Sequence, residues 1–239
     1  MDIWIKDYRI PVRVRRHWQP TIRFSITSKH ALISLPKYYN QEAFKTQLDR
    51  LHSWVRQKTT EQPELLERFR QKDYQTGQKF SVRGTEYVLY IKTEDRKTIS
   101  AKIEHQKLLL KLPEEEPLVH YSDKIPQVIS RVFAKRYFSE IESRVLHLND
   151  TFFDEKVNKV KLKYTRSNWG SCSSNKNINL STRLLMAPAD VLDYVIIHEL
   201  SHLKEMNHSK RFWSIVKNIM PDYKEKEAWL KTNGYKLRY

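Results

Sequence analysis

Residues 8 to 36 alternate between apolar and polar positions, as in Thr21-Ile22-Arg23-Phe24-Ser25-Ile26 and Ala31-Leu32-Ile33-Ser34-Leu35-Pro36. A period of two predicts strands that turn one face to a core and one to water. Asn40-Gln41-Glu42-Ala43-Phe44 reads as a capped helix start, and Phe44, Leu48, Leu51 and Val55 then keep helical spacing. A polar helical stretch follows around residues 62 to 71. Residues 79 to 112 return to strand-like alternation, with turn candidates at Arg83-Gly84-Thr85 and Glu94-Asp95-Arg96. Pro113-Glu114-Glu115-Glu116-Pro117 is the best linker candidate, because both prolines discourage helix and the carboxylates repel one another. It divides the chain into a mixed, mostly β part, 1–116, and a second part, 117–239. No internal repeat and no low-complexity tract is visible.

In the second part the period changes. Residues 123 to 146 read as one long helix with Ile125, Val128, Ile129, Val132, Phe133 and Tyr137 on one face. Lys159 to Tyr164 alternates as a strand, and Ile178-Asn179-Leu180 suggests another. Pro188 suits the start of a helix that carries Val191, Tyr194, Val195, His198 and His202. Further helices hold Phe212, Trp213, Val216 and Ile219, then Trp229 and Leu230. The fold class expected is α+β.

Composition narrows the picture. In 239 residues, 39% are hydrophobic and 12% aromatic, enough for packed cores and too much for a disordered chain. The net charge of +16 favours anionic partners, nucleic acid above all. The single cysteine, Cys172, excludes an intramolecular disulfide and a Cys-rich metal site, and fits a reducing compartment. Charges near the N-terminus interrupt any signal peptide, and no run approaches the ~20 apolar residues of a membrane span. The expectation is a soluble, cytoplasmic protein with no membrane contact.

The strongest chemical signal is His198-Glu199-Leu200-Ser201-His202. Residues four apart on a helix lie one above the other, so both imidazoles can reach one ion. A catalytic zinc uses three protein ligands and a water whose pKa the metal lowers. Glu199, one step round the helix from His198, can take a proton from that water without ligating the metal. His208 is the expected third ligand. Six helical steps past His202 it would point away, so the helix must end between them, and Met206-Asn207 offers a stop. Glu205 is the rival ligand or, instead, an acceptor that orients a ligand; Glu225 and Glu227 are more distant rivals. One Zn2+ per chain is expected.

Trp169-Gly170-Ser171-Cys172-Ser173, Asp193 to His202, and Asn207-His208-Ser209-Lys210-Arg211-Phe212-Trp213 resemble the pattern of the YgjP-like zinc metallohydrolases, a family similar to SprT-like and other small zincin peptidases. The motifs cover roughly residues 160 to 235. The resemblance implies a zincin-like C-terminal domain with an active-site helix, and zinc ligands at His198, His202 and His208. Two positions depart from the pattern. Asn168 stands where an Arg usually precedes the Trp, and Ser181 where an Asn often follows the strand. The family carries two labels, metallopeptidase and nucleotide (UTP) pyrophosphatase, so the resemblance implies either a protein or peptide substrate or a nucleotide.

Around this centre, Trp169, Gly170 and Ser171 read either as a substrate-contacting loop beside the metal or as a turn whose Trp packs on the motif helix. The strand near Ile178 to Leu180 is a candidate edge for pairing with an extended substrate. Tyr194 and Tyr223 are candidate oxyanion donors, Tyr194 being better placed as core. A lone thiol such as Cys172 is usually inert. Arg13, Arg15, Arg16, His17, Trp18 and Arg23 read either as a single-strand nucleic-acid surface or as the wet face of a sheet.

Overall fold

The computed structural model describes residues 1–6, 8–27, 30–67, 69, 74–115 and 117–239. Residues 68, 70 and 71 of the polar helical stretch, and residue 116 of the expected division, lie outside them. The chain separates into two compact units, Met1–Lys72 and Asp73–Tyr239. Among the described residues no helix is long and apolar enough to cross a membrane.

The first unit is a four-stranded sheet with a helix on one face. Its strands are β1 (Asp2–Ile5), β2 (Tyr8–His17), β3 (Arg23–Ile26) and β4 (Ala31–Pro36), in the order β1-β2-β4-β3. Helix α1 (Gln41–Glu61) starts where Asn40 accepts a hydrogen bond from the Glu42 N–H, which satisfies one of the donors a helix start leaves free. A short helix, α2 (Glu64–Glu67), follows. Ile3, Ile10, Ile33 and Leu35 of the sheet pack with Leu51 and Val55 of α1 into a separate core.

The second unit opens with β5 (Lys79–Val82), β6 (Thr85–Glu94), β7 (Ser100–Glu104) and β8 (Lys107–Pro113), ordered β5-β6-β8-β7. Their buried side chains, Phe80, Tyr87, Leu89, Leu108 and Leu110, belong to one core with Ile129, Phe133 and Ile141 of α3 (Ile125–Phe152). The Pro113–Pro117 stretch lies within the second compact unit. The two prolines stop β8 and shape a connection, while the strands before them share apolar surface with the helix after them. Phe133 is fully buried, edge-on to Tyr87 (centroids 5.0 Å) and stacked on Tyr239 (5.4 Å). Phe133→Ala is expected to cost about 3–5 kcal/mol, from lost transfer energy plus the cavity left behind. Denaturant unfolding of the variant measures it.

The two four-stranded sheets share one plan, although no repeat is visible in the sequence. Every pairing of the first recurs 77 positions on: Asp2↔Pro11 as Lys79↔Val88, Val12↔Ala31 as Leu89↔Leu108, Arg23↔Ser34 as Ser100↔Lys111. Strand directions and buried positions repeat as well, Ile10 matching Tyr87 and Ile33 matching Leu110. A sheet constrains which positions are apolar, not which apolar residue fills them. The repetition is thus one of register rather than of residue identity.

A smaller sheet, β10 (Gly170–Cys172), β11 (Asn177–Ser181) and β9 (Lys159–Lys163), runs in the order β10-β11-β9. It packs with α4 (Ala189–Ser201), which leads to α5 (Lys210–Ile219) and α6 (Tyr223–Asn233). Arg144 of α3 makes a two-pronged ion pair with Asp193 of α4 at 2.8 and 2.6 Å, setting the rotation of the motif helix.

Candidate metal centre

Helix α4 begins at Pro188, whose fixed φ suits a helix start, and continues through Val191, Leu192, Val195, Ile196 and Ile197, all buried. This apolar surround holds His198 and Glu199 in a dry setting. The helix closes at His202, four residues before the expected Met206-Asn207 stop. The backbone then turns, Glu205 N–H donating to the Ser201 carbonyl at 3.0 Å, and α5 restarts at Ser209, whose hydroxyl accepts from the Phe212 N–H. His208 lies in that turn and swings back over α4.

One nitrogen from each of His198, His202 and His208 falls within 4.8 Å of the others, and the Nε2 atoms of His198 and His208 stand 3.0 Å apart. The rings gather round Phe212, with centroids 4.9, 4.5 and 4.8 Å from it. Trp213 stacks on His208 (5.8 Å, 28°) and Tyr223 stacks on Trp213 (5.3 Å, 21°), so an aromatic column braces the turn-borne histidine. His198 is pushed down to about 4, first by burial and then by the two neighbouring imidazoles. Burial likewise lowers His202. Neutral imidazoles with converging nitrogens are the donor set a transition metal requires.

His202 Nδ1 faces the Glu205 carbonyl oxygen at 3.2 Å. With Nδ1–H donating there, the other nitrogen is left as an acceptor toward the cluster. It is the main-chain oxygen of Glu205 that meets His202, and its carboxylate is not among the clustered groups.

Glu199 is 5% exposed, and burial pushes its carboxyl up to about 8. The Cys172 N–H donates to it. Gly170 lies against the same carboxylate: a Cβ at that position would sit 2.5 Å from Glu199 Oε1. Gly170 and Ser171 belong to β10 beside Glu199, and Trp169, half-buried, packs against the core. Gly170→Ala is expected to displace the carboxylate and lower turnover on the order of tenfold or more, with metal content unchanged. Steady-state kinetics and metal analysis on one preparation check both halves.

One further expectation changes. The strand at Ile178–Leu180 is β11, central in its sheet and paired on both sides; β10 is the edge beside Glu199. Tyr194 is core, stacked on Tyr223 and edge-on to His198. The Cys172 thiol is pushed up to about 11 by burial and by Glu199, so it stays protonated.

Sequence reasoning missed Arg183. Its guanidinium lies over the Trp169 ring at 4.1 Å and donates to the carbonyls of Leu237 and Gly234. Gly234 packs so closely on Trp169 that a Cβ would overlap the ring. Arg183 and the last residues of the chain thus clamp the strand that walls Glu199. No local pattern marks an arginine whose carbonyl partners include Gly234 and Leu237, more than fifty residues away.

A model of the YgjP-like metallopeptidase domain matches residues 20–233. Among curated proteins the chain is similar to the UTP pyrophosphatase of Escherichia coli (strain K12), 26% identical over 102 residues. That match covers 38% of this chain and spans 61% of the relative's length. Among solved structures it is similar to the metallopeptidase zymogen of Pyrococcus abyssi abylysin, at 28% identity and a TM-score of 0.36 over 38% of this chain and 92% of that one. The zymogen of Methanocaldococcus jannaschii jannalysin matches at 23% identity and a TM-score of 0.35, over 38% and 94%.

Proposed function

The chain belongs to the YgjP-like metallopeptidase family, and from that membership we propose that it is a zinc-dependent peptidase with Glu199 as general base. The observation that carries this reading is the convergence of His198, His202 and His208 beside a buried carboxylate. The three imidazoles are the ligands, one Zn2+ per chain. When bound, zinc supplies a Lewis acid for the carbonyl oxygen and lowers the pKa of water.

The chain's own residues do the rest. The Glu205 carbonyl sets the His202 tautomer, and the Phe212–Trp213–Tyr223 cluster holds His208. Gly170 and the Cys172 N–H fix the Glu199 carboxylate. Glu199 removes a proton from the attacking water and returns it to the leaving amine. β10 pairs with β11 on one side. An extended peptide laid along its other side would pass the carboxylate, with main-chain hydrogen bonds independent of peptide sequence. Ser171 is then a substrate contact, and Trp169 acts by packing.

The test uses the full chain stripped of metal and reloaded with one equivalent of Zn2+, on casein as an unfolded substrate. Peptide release with zinc, its loss on chelation and its return on reloading are expected. With zinc bound and casein intact, the peptidase reading fails. Release of pyrophosphate from UTP by the same preparation would then assign the centre to nucleotide hydrolysis.

A further inference from the structure

The repeated sheets carry an internal comparison of surface charge. In each, alternate residues leave the core face and form an outer face. In the second sheet that face is balanced: Lys79 pairs with Glu86 at 2.9 Å, Lys92 and Lys111 with Glu94 at 3.0 and 2.8 Å, and Lys102 with Glu104. The first sheet has the same register but keeps only one such pair among the described residues, Arg9 with Asp2 at 2.7 Å, at the positions matching Glu86 and Lys79. Arg13 and Arg15 on β2 and Arg23 on β3 are exposed on its outer face, with no carboxylate at ion-pair distance among the described residues.

The pleat decides which basic residues count. Arg16 falls on the opposite face and donates to the Pro36 and Tyr39 carbonyls, and the His17 ring nitrogens are buried. Arg13 and Arg15 lie about 7 Å apart along β2, and Arg23 lies two strands over, about 10 Å away. Aromatic rings flank this basic row at both ends. Trp4, 59% exposed, stands on the outer face opposite Arg9. Trp18 and Tyr38, 71% and 82% exposed, meet edge-on at 5.6 Å past the other end, with Lys37 over the Trp18 ring at 4.0 Å. A large aromatic ring left in water gains nothing for folding, whereas bases stack on such rings while guanidiniums meet the phosphates.

We propose that this face of the first unit binds single-stranded nucleic acid, its backbone across Arg13, Arg15 and Arg23 and its bases on Trp18 and Trp4. Flat sheet faces with exposed rings suit unpaired bases, and duplex bases are stacked out of reach. The binding is independent of sequence and of the metal centre, so it stands or falls apart from the peptidase reading.

The test is fluorescence anisotropy with the full chain and a labelled 20-nucleotide oligouridylate, across a salt series. Tight binding that weakens steeply with salt is expected. The variant Arg13→Gln/Arg15→Gln/Arg23→Gln should bind roughly tenfold or more weakly, with the log–log salt slope reduced by about 2, at about 0.7 per lost phosphate contact. Trp18→Ala should lose about tenfold while keeping the slope. The matched control Lys92→Gln/Lys102→Gln, on the second sheet, should bind like the unaltered chain. In the unaltered chain, photocrosslinking of a 4-thiouridine oligomer should label peptides within residues 1–40. Undiminished binding by the triple variant, equal loss in the control, equal affinity for a 20-base-pair duplex, or crosslinks confined to residues 73–239 would each overturn the proposal.

Discussion

Glu199→Gln is expected to keep the metal and lose about a thousandfold in kcat, within the range of ~10²–10⁴ that a positioned acid–base group contributes. The amide matches the carboxylate in shape, so Gly170 still packs against it and its carbonyl oxygen can still accept from the Cys172 N–H. What it cannot do is take a proton. The site is suited to that demand, since Glu199 is 5% exposed and has no cation paired with it among the described residues. A buried carboxyl of this kind is costly as an anion until positive charge arrives nearby, and binding a divalent metal then favours the ionised base. Kinetics on a protein substrate with metal analysis of the same sample decide the matter. Turnover retained with a full complement of metal would remove Glu199 from the mechanism.

His208→Ala is the second large effect. His198 and His202 ride on one helix and would still converge without a third partner. Removing His208 leaves an open two-ligand site, and zinc affinity should fall at least about 100-fold, beyond the 10–100-fold typical of losing a mere supporting hydrogen bond. Competition with a chromogenic chelator reads the affinity directly, without an assay of activity. The companion variant Glu205→Gln should leave affinity nearly unchanged, because Glu205 meets His202 through its main-chain oxygen. The reverse outcome, metal kept by His208→Ala and lost by Glu205→Gln, would make the carboxylate the third ligand.

These two variants bear on the part of the site that sequence made most legible. An i, i+4 histidine pair is a local geometric statement, and so is the need for the helix to end before His208. The reason the helix ends at His202 rather than at Met206-Asn207 is not local: three imidazoles close round Phe212, and Trp213 and Tyr223 brace His208 from the next two helices. Gly170 shows the same limit. Its glycine suggested a close approach, but only the fold identifies Glu199 as what it approaches.

The α+β class, the strand and helix periods, the cap at Asn40 and the histidine–glutamate spacing were legible along the chain. All of these follow from backbone geometry over a few residues. Tertiary structure alone decided that β5–β8 share a core with α3 and that β10 rather than β11 is the edge. It also decided that Arg183 clamps Trp169, and that two sheets of unlike residues repeat one register. Pairing and burial join positions far apart in the chain, and many apolar residues satisfy them equally well. The choice among arrangements is made by the packing of the whole, where no short window of residues records it.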